Sequence, residues 1–556
     1  MTSQTRGQHA IRNRARVLAA MLLLIAVFTG TGEAAATTFH VCDCAPGADQ
    51  QCAAGSDAAT GVSAESPWRS YERARSAWAG LAAGDSIAFC RGGAFNTGAS
   101  SRWVNANCRA DAACTISAYA PPWGDGDEAR PRITQTAGSA FAFDDTGMAE
   151  HEEGYVVQDL ELVCTACADN QAGIFLYNDI DDVLLQRLSI SGFGIGVYAA
   201  GSNGCTPQAP GCDLVNARVS LLDSEIRGNL YHGFLGAAED LTIADNRFEA
   251  NGSEAVLEHN IYLTGRVARL NVLRNDLYRS AALVTGRCRG SSLVAHGWID
   301  DLRVEANHIH EDIGAADPSC WGIDITPGSN AEERFLRAVV RGNRVTNVGT
   351  AGIALAACVD CVVENNIIVH AQPHAIIAVR APASAFGAGD ATLQALIVRN
   401  NSIHTSTPNS IGISIGDQGT AHIIVGNAIE SAATTGFWAC LALNLATTAY
   451  AAVDSNVCGY SSAAQREWEL GSGTLAQWRA ASGFDLASVA SGPGFRAPLA
   501  PDFDLSALSP TAAMVDRGHP TLSSPIDIDG ITRVAPADAG AHEHADSLFA
   551  DGFDAR

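Results

Sequence analysis

Between residues 220 and 430 the chain repeats one short phrase: an apolar residue, two variable residues, Asn, one variable residue and another apolar residue. It occurs with Ile243, Asn246 and Phe248; with Val272, Asn275 and Leu277; with Val304, Asn307 and Ile309; with Val340, Asn343 and Val345; with Val363, Asn366 and Ile368; and with Val398, Asn401 and Ile403. It returns near Asn427 and Ile429, and Leu221 to Ile226 carries it with Ser224 in the Asn place. The interval is roughly 22 to 36 residues. A second phrase, Gly-Ile-x-Leu or a close variant, stands at Gly173–Leu176, Gly194–Val197, Gly322–Ile325, Gly352–Leu355 and Gly412–Ile415. The second phrase alternates with a period of two, and together the phrases predict short strands separated by turns. One such unit cannot bury its apolar face alone, but stacked coils can, with strands about 4.8 Å apart. Asn at one fixed place per coil then predicts an internal ladder, each amide bonding the backbone of the next coil. Leucine-rich repeats need a tighter period, and propeller blades need longer four-stranded units. The pattern therefore predicts an all-β solenoid, a parallel β-helix.

Composition sharpens this picture. Apolar residues make up 47% of the 556 residues and charged ones only 17%, with 54 Gly, so a large core and many turns are available but little helix. The chain contains no Lys, so all 35 basic side chains are Arg and lysine-base or Schiff-base chemistry is excluded. A formal charge of −25 disfavours nucleic acid, and an acidic polymer would need a local Arg cluster or a bridging Ca²⁺. At the N-terminus Arg6, Arg12, Arg14 and Arg16 precede an apolar run from Val17 to Phe28 and the small residues Ala34 to Ala36. This predicts a signal peptide over 1–36, a secreted product starting near Thr37, and no stable membrane insertion. Sixteen Cys fit that oxidising destination. The pairs Cys164/Cys167 and Cys358/Cys361 lie too far apart for one zinc site, so disulfides are the expectation for most or all cysteines.

The opening and closing phrases carry a resemblance. Near the start stand Gly55-Ser-Asp57, Ser66 to Ala74, Ala83 to Ile87 and Arg91 to Gly93; near the end stand Trp478 with Gly483 to Asp485, Asp502 to Leu505, and Asp527 to Gly530 with Arg533 and Asp538 to Glu543. In these segments the chain resembles the secreted right-handed parallel β-helix repeat proteins of the pectin-lyase-like superfamily. The resemblance implies a short N-terminal helix capping the first coil and an irregular C-terminal cap. The repeated Asn phrase sets the expected β-helix over about 131–460, which leaves the N-terminal cap and first coils over 37–130, a closing segment over 461–545 and a tail over 546–556. The resemblance also implies a polysaccharide partner, handled by a monomer.

Candidate chemistry falls on the middle coils. In Gly-Ile-x-Leu the residue x faces outward, which puts Phe175, Gly196, Tyr262, Asp324, Ala354 and Ser414 on one outer face. His232, His259 and Trp321 share the position just before this phrase. The run His259 to Tyr262, followed by Val284-Thr-Gly-Arg287, is similar to a phrase of some family members in which Thr285 is replaced by Lys. Lyases of this superfamily abstract a proton α to a carboxylate and need a base, a proton donor and a cation. The resemblance therefore implies His259 as base, Tyr262 as acid and Arg287 as neutraliser, with His232, Trp321, Asp324 and Arg289 binding substrate. A polysaccharide lyase acting by β-elimination on a uronic-acid polymer is the leading expectation, ahead of a glycoside hydrolase built on Glu258, Asp276, Asp300, Asp301 or Asp324. The alternative is a non-catalytic polysaccharide-binding or cell-surface protein. Weaker candidates for metal are Asp43, Asp49 and Asp57 for Ca²⁺, and His308 with His310 for a nitrogen-bound ion.

Overall fold

The computed structural model describes residues 36–98, 102–144, 153–200, 215–328, 332–383, 387–460, 465–498 and 504–544. Residues 1–35 of the expected signal peptide, the loop holding Cys205 and Cys212, and the expected tail over 546–556 lie outside these residues.

Each coil of the repeat is built around the Asn phrase. Its first apolar residue sits in a strand of sheet one and its last in a strand of sheet two, as in Asn271–Leu273 and Asp276–Tyr278. Between them lies a two-residue corner. The residue before the Asn takes a left-handed backbone: Asp245, Arg274, Ala306, Gly342, Asn365 and Asn400 all have φ between 51° and 64°. An L-residue there costs about 1 kcal/mol, which the ladder behind it offsets. Asn343 shows the ladder's pattern: its Nδ2 donates to Val304 O at 2.8 Å and to Asn366 Oδ1 at 3.0 Å, while its Oδ1 accepts from the amide and side chain of Asn307, both at 3.0 Å. The same bonding runs from Asn246 through Asn275, Asn307, Asn343, Asn366 and Asn401 to Asn427 and Asn456, with Ser224 before Asn246. A second ladder, Asn229–Asn251–Asn260, lines another corner.

Stacked in this way the coils form a right-handed parallel β-helix of three long parallel sheets. Sheet one begins at Thr38–Val41, and sheet three ends at Gln465–Glu469. Inward columns such as Ile243, Val272, Val304, Val340, Val363 and Val398 are fully buried. Outside, left-handed corners carry Asp–Arg forks between neighbouring coils, including Arg274 on Asp245 and Arg337 on Asp301 at 2.7 Å. The planar guanidinium suits this two-pronged geometry better than an ammonium would.

A helix over Tyr71–Trp78, N-capped by Ser70, packs its Tyr71, Ala74 and Trp78 into the core of the first coils. The closing segment folds back along the flank: Arg533 reaches Asn365, Ser524 reaches Asn400, and Ala541 reaches Ser402. It buries Leu505, Met514, Ala539 and Ala541 against Ile367, Val369 and Ala428. That cover explains why sheet two turns apolar side chains outward there.

Disulfides join Cys42 to Cys90, Cys44 to Cys52, Cys108 to Cys114, Cys164 to Cys167, Cys288 to Cys320, Cys358 to Cys361 and Cys440 to Cys458. Among the described residues no cysteine is free.

Candidate functional site

Sheet three carries the outer row expected from Gly-Ile-x-Leu. Its cross-strand register runs Phe175, Tyr198, Leu235, Tyr262, Val294, Asp324, Ala354, Arg380, Ser414. Tyr262 and Asp324 therefore do share the row, two coils apart. Gly196 does not: it lies opposite Gly173, and Tyr198 takes the outward place. The Gly in Gly194 had suggested the wrong frame, because the two glycines of that coil can each begin the phrase.

The two longest strands of sheet three, His259–Ala268 and Leu293–Asp300, meet at this point and widen the face. Alternation turns Tyr262, Thr264 and Arg266 outward from the first, and His296 and Trp298 from the second. The rings of His232, His259 and Tyr262 form a triangle with centroids 5.3 to 5.5 Å apart. Tyr231 abuts His232 at 4.3 Å, and His296 sets its ring nearly perpendicular to Tyr262 at 5.3 Å.

Hydrogen bonding fixes the imidazole tautomers. The amide of His259 donates to His232 Nδ1 at 3.1 Å, so a neutral His232 carries its proton on Nε2. His259 Nδ1 lies 2.9 Å from Ser291 O, which can only accept, so His259 carries its proton on Nδ1 and leaves an Nε2 lone pair. Ser291 continues the link, its hydroxyl donating to Asp324 Oδ2 at 3.4 Å; Thr326 donates to Oδ1 at 2.8 Å. Trp321 donates from Nε1 to Thr350 Oγ1 at 3.0 Å, and the Arg380 guanidinium lies 5.8 Å from the Trp321 ring. Trp298 is held between Arg266 at 5.5 Å and Arg334 at 4.0 Å.

Burial dominates the proton affinities. It pushes His232 down to about 4. It pushes His259 down to about 3, helped by the neighbouring His232 and His296 against the pull of the Ser291 carbonyl. Tyr262 rises to about 12, from burial first and then from Glu333 and Tyr231. Asp324 is raised by burial, against hydrogen bonds from Thr326 and Ser291 and the charges of His296 and Arg380. At neutral pH the site presents two uncharged imidazoles and a protonated phenol.

A pH dependence of stability follows. An unfolded His232 takes a proton near 6.5, whereas the folded ring resists until about 4. Its folded proton affinity is depressed, so its stabilising effect is intact above the unfolded value and is lost as pH falls from there to the folded one. The loss is about 3 kcal/mol for this ring alone. Urea unfolding midpoints measured between neutral pH and pH 4 should fall, and His232→Gln should flatten the slope. Equal slopes for the two proteins would show that the ring is solvated.

The two expected cations are both engaged by carboxylates. Arg287 binds Asp317 Oδ1 through Nε at 3.0 Å and Nη2 at 2.8 Å and also reaches Gly314 O, while Arg289 faces Asp317 at 3.3 Å and Glu254 at 3.9 Å. Both are half-exposed, already matched by carboxylates, and anchored beside the Cys288–Cys320 disulfide. The arrangement instead offers Arg380 and Arg266, which form no ion pair among the described residues. Arg380 escaped sequence reading because its coil reads Ala378-Val-Arg380-Ala, with Ala in the Gly place; Ser292-Leu-Val294-Ala hid the Val294 coil likewise.

The remaining candidates are also placed. Asp57 braces the cap of the first helix, accepting from the amides of Arg69 and Ser70 and from the Ser70 hydroxyl. Asp43 pairs with Arg69 at 3.1 Å, and Asp49 accepts from the Gln51 amide. These three acids do not gather their oxygens at one point, whereas Asp276, His308 and His310 do bring ligand atoms within 4.8 Å of one another.

No family model matches the chain, and no curated protein matches it. Solved structures similar to it include the pectate lyase Pel9A, at 10% identity over 92% of this chain and 98% of that one, with a TM-score of 0.36. A complex of XylC with xylose matches at 9% identity over 91% and 98%, with a TM-score of 0.41. The A-module of mannuronan C-5 epimerase AlgE4 from Azotobacter vinelandii matches at 12% over 74% and 91%, with a TM-score of 0.36.

Proposed function

We propose that this protein is secreted, and that the outer face of sheet three between His232 and Arg380 binds a uronic-acid polysaccharide and cleaves it by β-elimination. The observation that carries this reading is the meeting of His259, Tyr262 and Asp324 through ring contacts and Ser291, with Arg380, which forms no ion pair among the described residues, in the same row. The paired cysteines and the N-terminal segment support secretion.

In this reading Arg380 takes the neutralising role that the sequence assigned to Arg287. It pairs with the uronate carboxylate and acidifies the neighbouring C5–H. The His259 Nε2 lone pair accepts that proton, C4 and C5 form a double bond, and the C4–O4 bond breaks. The leaving oxygen takes its proton from the Tyr262 hydroxyl. An imidazole held down to about 3 by burial is by itself a weak base. A substrate carboxylate brings in the negative charge that raises its proton affinity. Asp324, raised by burial and tied to His259 by Ser291, steadies the imidazolium as it forms.

A second reading, binding without cleavage, draws on the aromatic platform that continues from the site: Phe175 stacks on Tyr198 at 5.1 Å and leans on Tyr177 at 5.4 Å. The deciding experiment incubates the mature protein with a panel of pectic, alginate and glycosaminoglycan polymers and follows the ultraviolet absorbance of the unsaturated uronate. Absorbance growth on one polymer supports the lyase. Retention on immobilised polymer without any new chain ends supports the binding protein, and neither result with any polymer refutes both.

A further inference from the structure

We propose a second, separate site: a Zn²⁺ ion held by Asp276, His308 and His310 on the outer face of sheet two. Asp276 and His308 are cross-strand partners on adjacent coils, and His310 follows His308 by two residues, so all three side chains leave the same face. His310 Nε2 lies 2.8 Å from Asp276 Oδ1, and His308 Nδ1 lies 3.6 Å from the same oxygen. Donors about 2.0–2.1 Å from one ion stand about 3.3 Å apart at tetrahedral angles and about 2.9 Å apart at right angles. The two His–Asp276 spacings bracket those values and all three ligand atoms lie within 4.8 Å of one another; the stacked imidazoles must turn about their side-chain bonds to aim both lone pairs at one ion.

The surroundings hold these donors in place. The two imidazoles are stacked with centroids 4.2 Å apart, and Tyr278 stacks on His310 at 4.6 Å. The Tyr278 hydroxyl donates to Asp312 at 2.6 Å, and Asp312 is held in turn by Arg279 at 2.9 Å. Such outer partners fix ring orientation and so reduce the entropy lost on metal binding. Two imidazole nitrogens and one carboxylate oxygen suit zinc and its transition-metal neighbours, not Ca²⁺ or Mg²⁺, which take oxygen. Three protein donors leave a fourth position open to water or to a ligand carboxylate.

The test uses the full mature protein, stripped with chelator and titrated with Zn²⁺ alone by calorimetry and by competition with a chromogenic chelator. One equivalent should bind tightly enough to compete, and an excess of Ca²⁺ should not displace it. His310→Ala and Asp276→Asn should each weaken binding at least tenfold, and the His308→Ala/His310→Ala double variant should abolish it while keeping the parental unfolding midpoint in metal-free buffer. Absence of zinc binding to the parent overturns the proposal. So does equal binding by the parent and the double variant, which would move the ion to another place.

Discussion

Replacing Asn343 by leucine should lower stability by about 3–5 kcal/mol, more than other single changes of similar volume in the coils. The side chain is completely buried, and four hydrogen bonds converge on its two polar atoms. Leucine fills the space but leaves the Asn307 amide without its acceptor where water does not reach, takes one of two acceptors from Asn307 Nδ2, which keeps Val272 O, and removes a donor from the Val304 carbonyl. Asn366 Oδ1 loses one of its two side-chain and backbone donors as well. A buried donor or acceptor left unmet costs about 1–3 kcal/mol, and neighbouring ladder members can recover only part of that by relaxing. Urea unfolding checks the expectation: the midpoint should fall with little change in slope. The contrast is Arg303→Ala, which removes an exposed pairing with Glu305 at 3.2 Å and should cost less than about 1 kcal/mol. A shift for Asn343→Leu as small as that of Arg303→Ala would mean that the ladder records the fold without stabilising it.

If the proposed lyase reading holds, Tyr262→Phe should reduce turnover about 10²–10⁴-fold on the cleaved polymer, with KM nearly unchanged. The ring triangle with His232 and His259 survives this change, so the loss isolates the hydroxyl proton that the leaving oxygen needs. His259→Gln should lose activity to a similar extent, because the amide can keep a bond to Ser291 but cannot take the substrate proton. Arg380→Gln should mainly weaken kcat/KM, since the role proposed for the guanidinium is to meet the substrate carboxylate. Arg287→Ala is the informative control: its charge is already matched by Asp317, so activity should remain near the parental value. Parental turnover in Tyr262→Phe would place the acid elsewhere. Loss of activity in Arg287→Ala with Arg380→Gln unaffected would return the neutralising role to Arg287.

Much of this architecture was legible along the chain, because a solenoid converts sequence period directly into spatial stacking. The Asn phrase located its own ladder. It did so because an amide carries both a donor and an acceptor and can bond the same group one coil away. The alternation of Gly-Ile-x-Leu put Tyr262 and Asp324 in one outer row. It failed at the Gly194 coil, where two glycines two residues apart offered two frames. It also passed over Val294 and Arg380, where the glycine is replaced by Ser292 and Ala378.

What the sequence by itself determined is therefore the coil: which residues face in, which face out, where each corner bends, and that Asn and aliphatic side chains stack on their own kind. Only the tertiary structure decided which outward residues meet. Coil lengths vary, so neighbours across coils stand at no constant distance along the chain. Asp317 lies 30 residues beyond the Arg287 it neutralises, and Ser291 lies 32 residues beyond the His259 whose tautomer it sets. The proton affinities belong to that second level too. An imidazole or phenol acquires its character from burial and from the charges around it, and those are supplied by other coils.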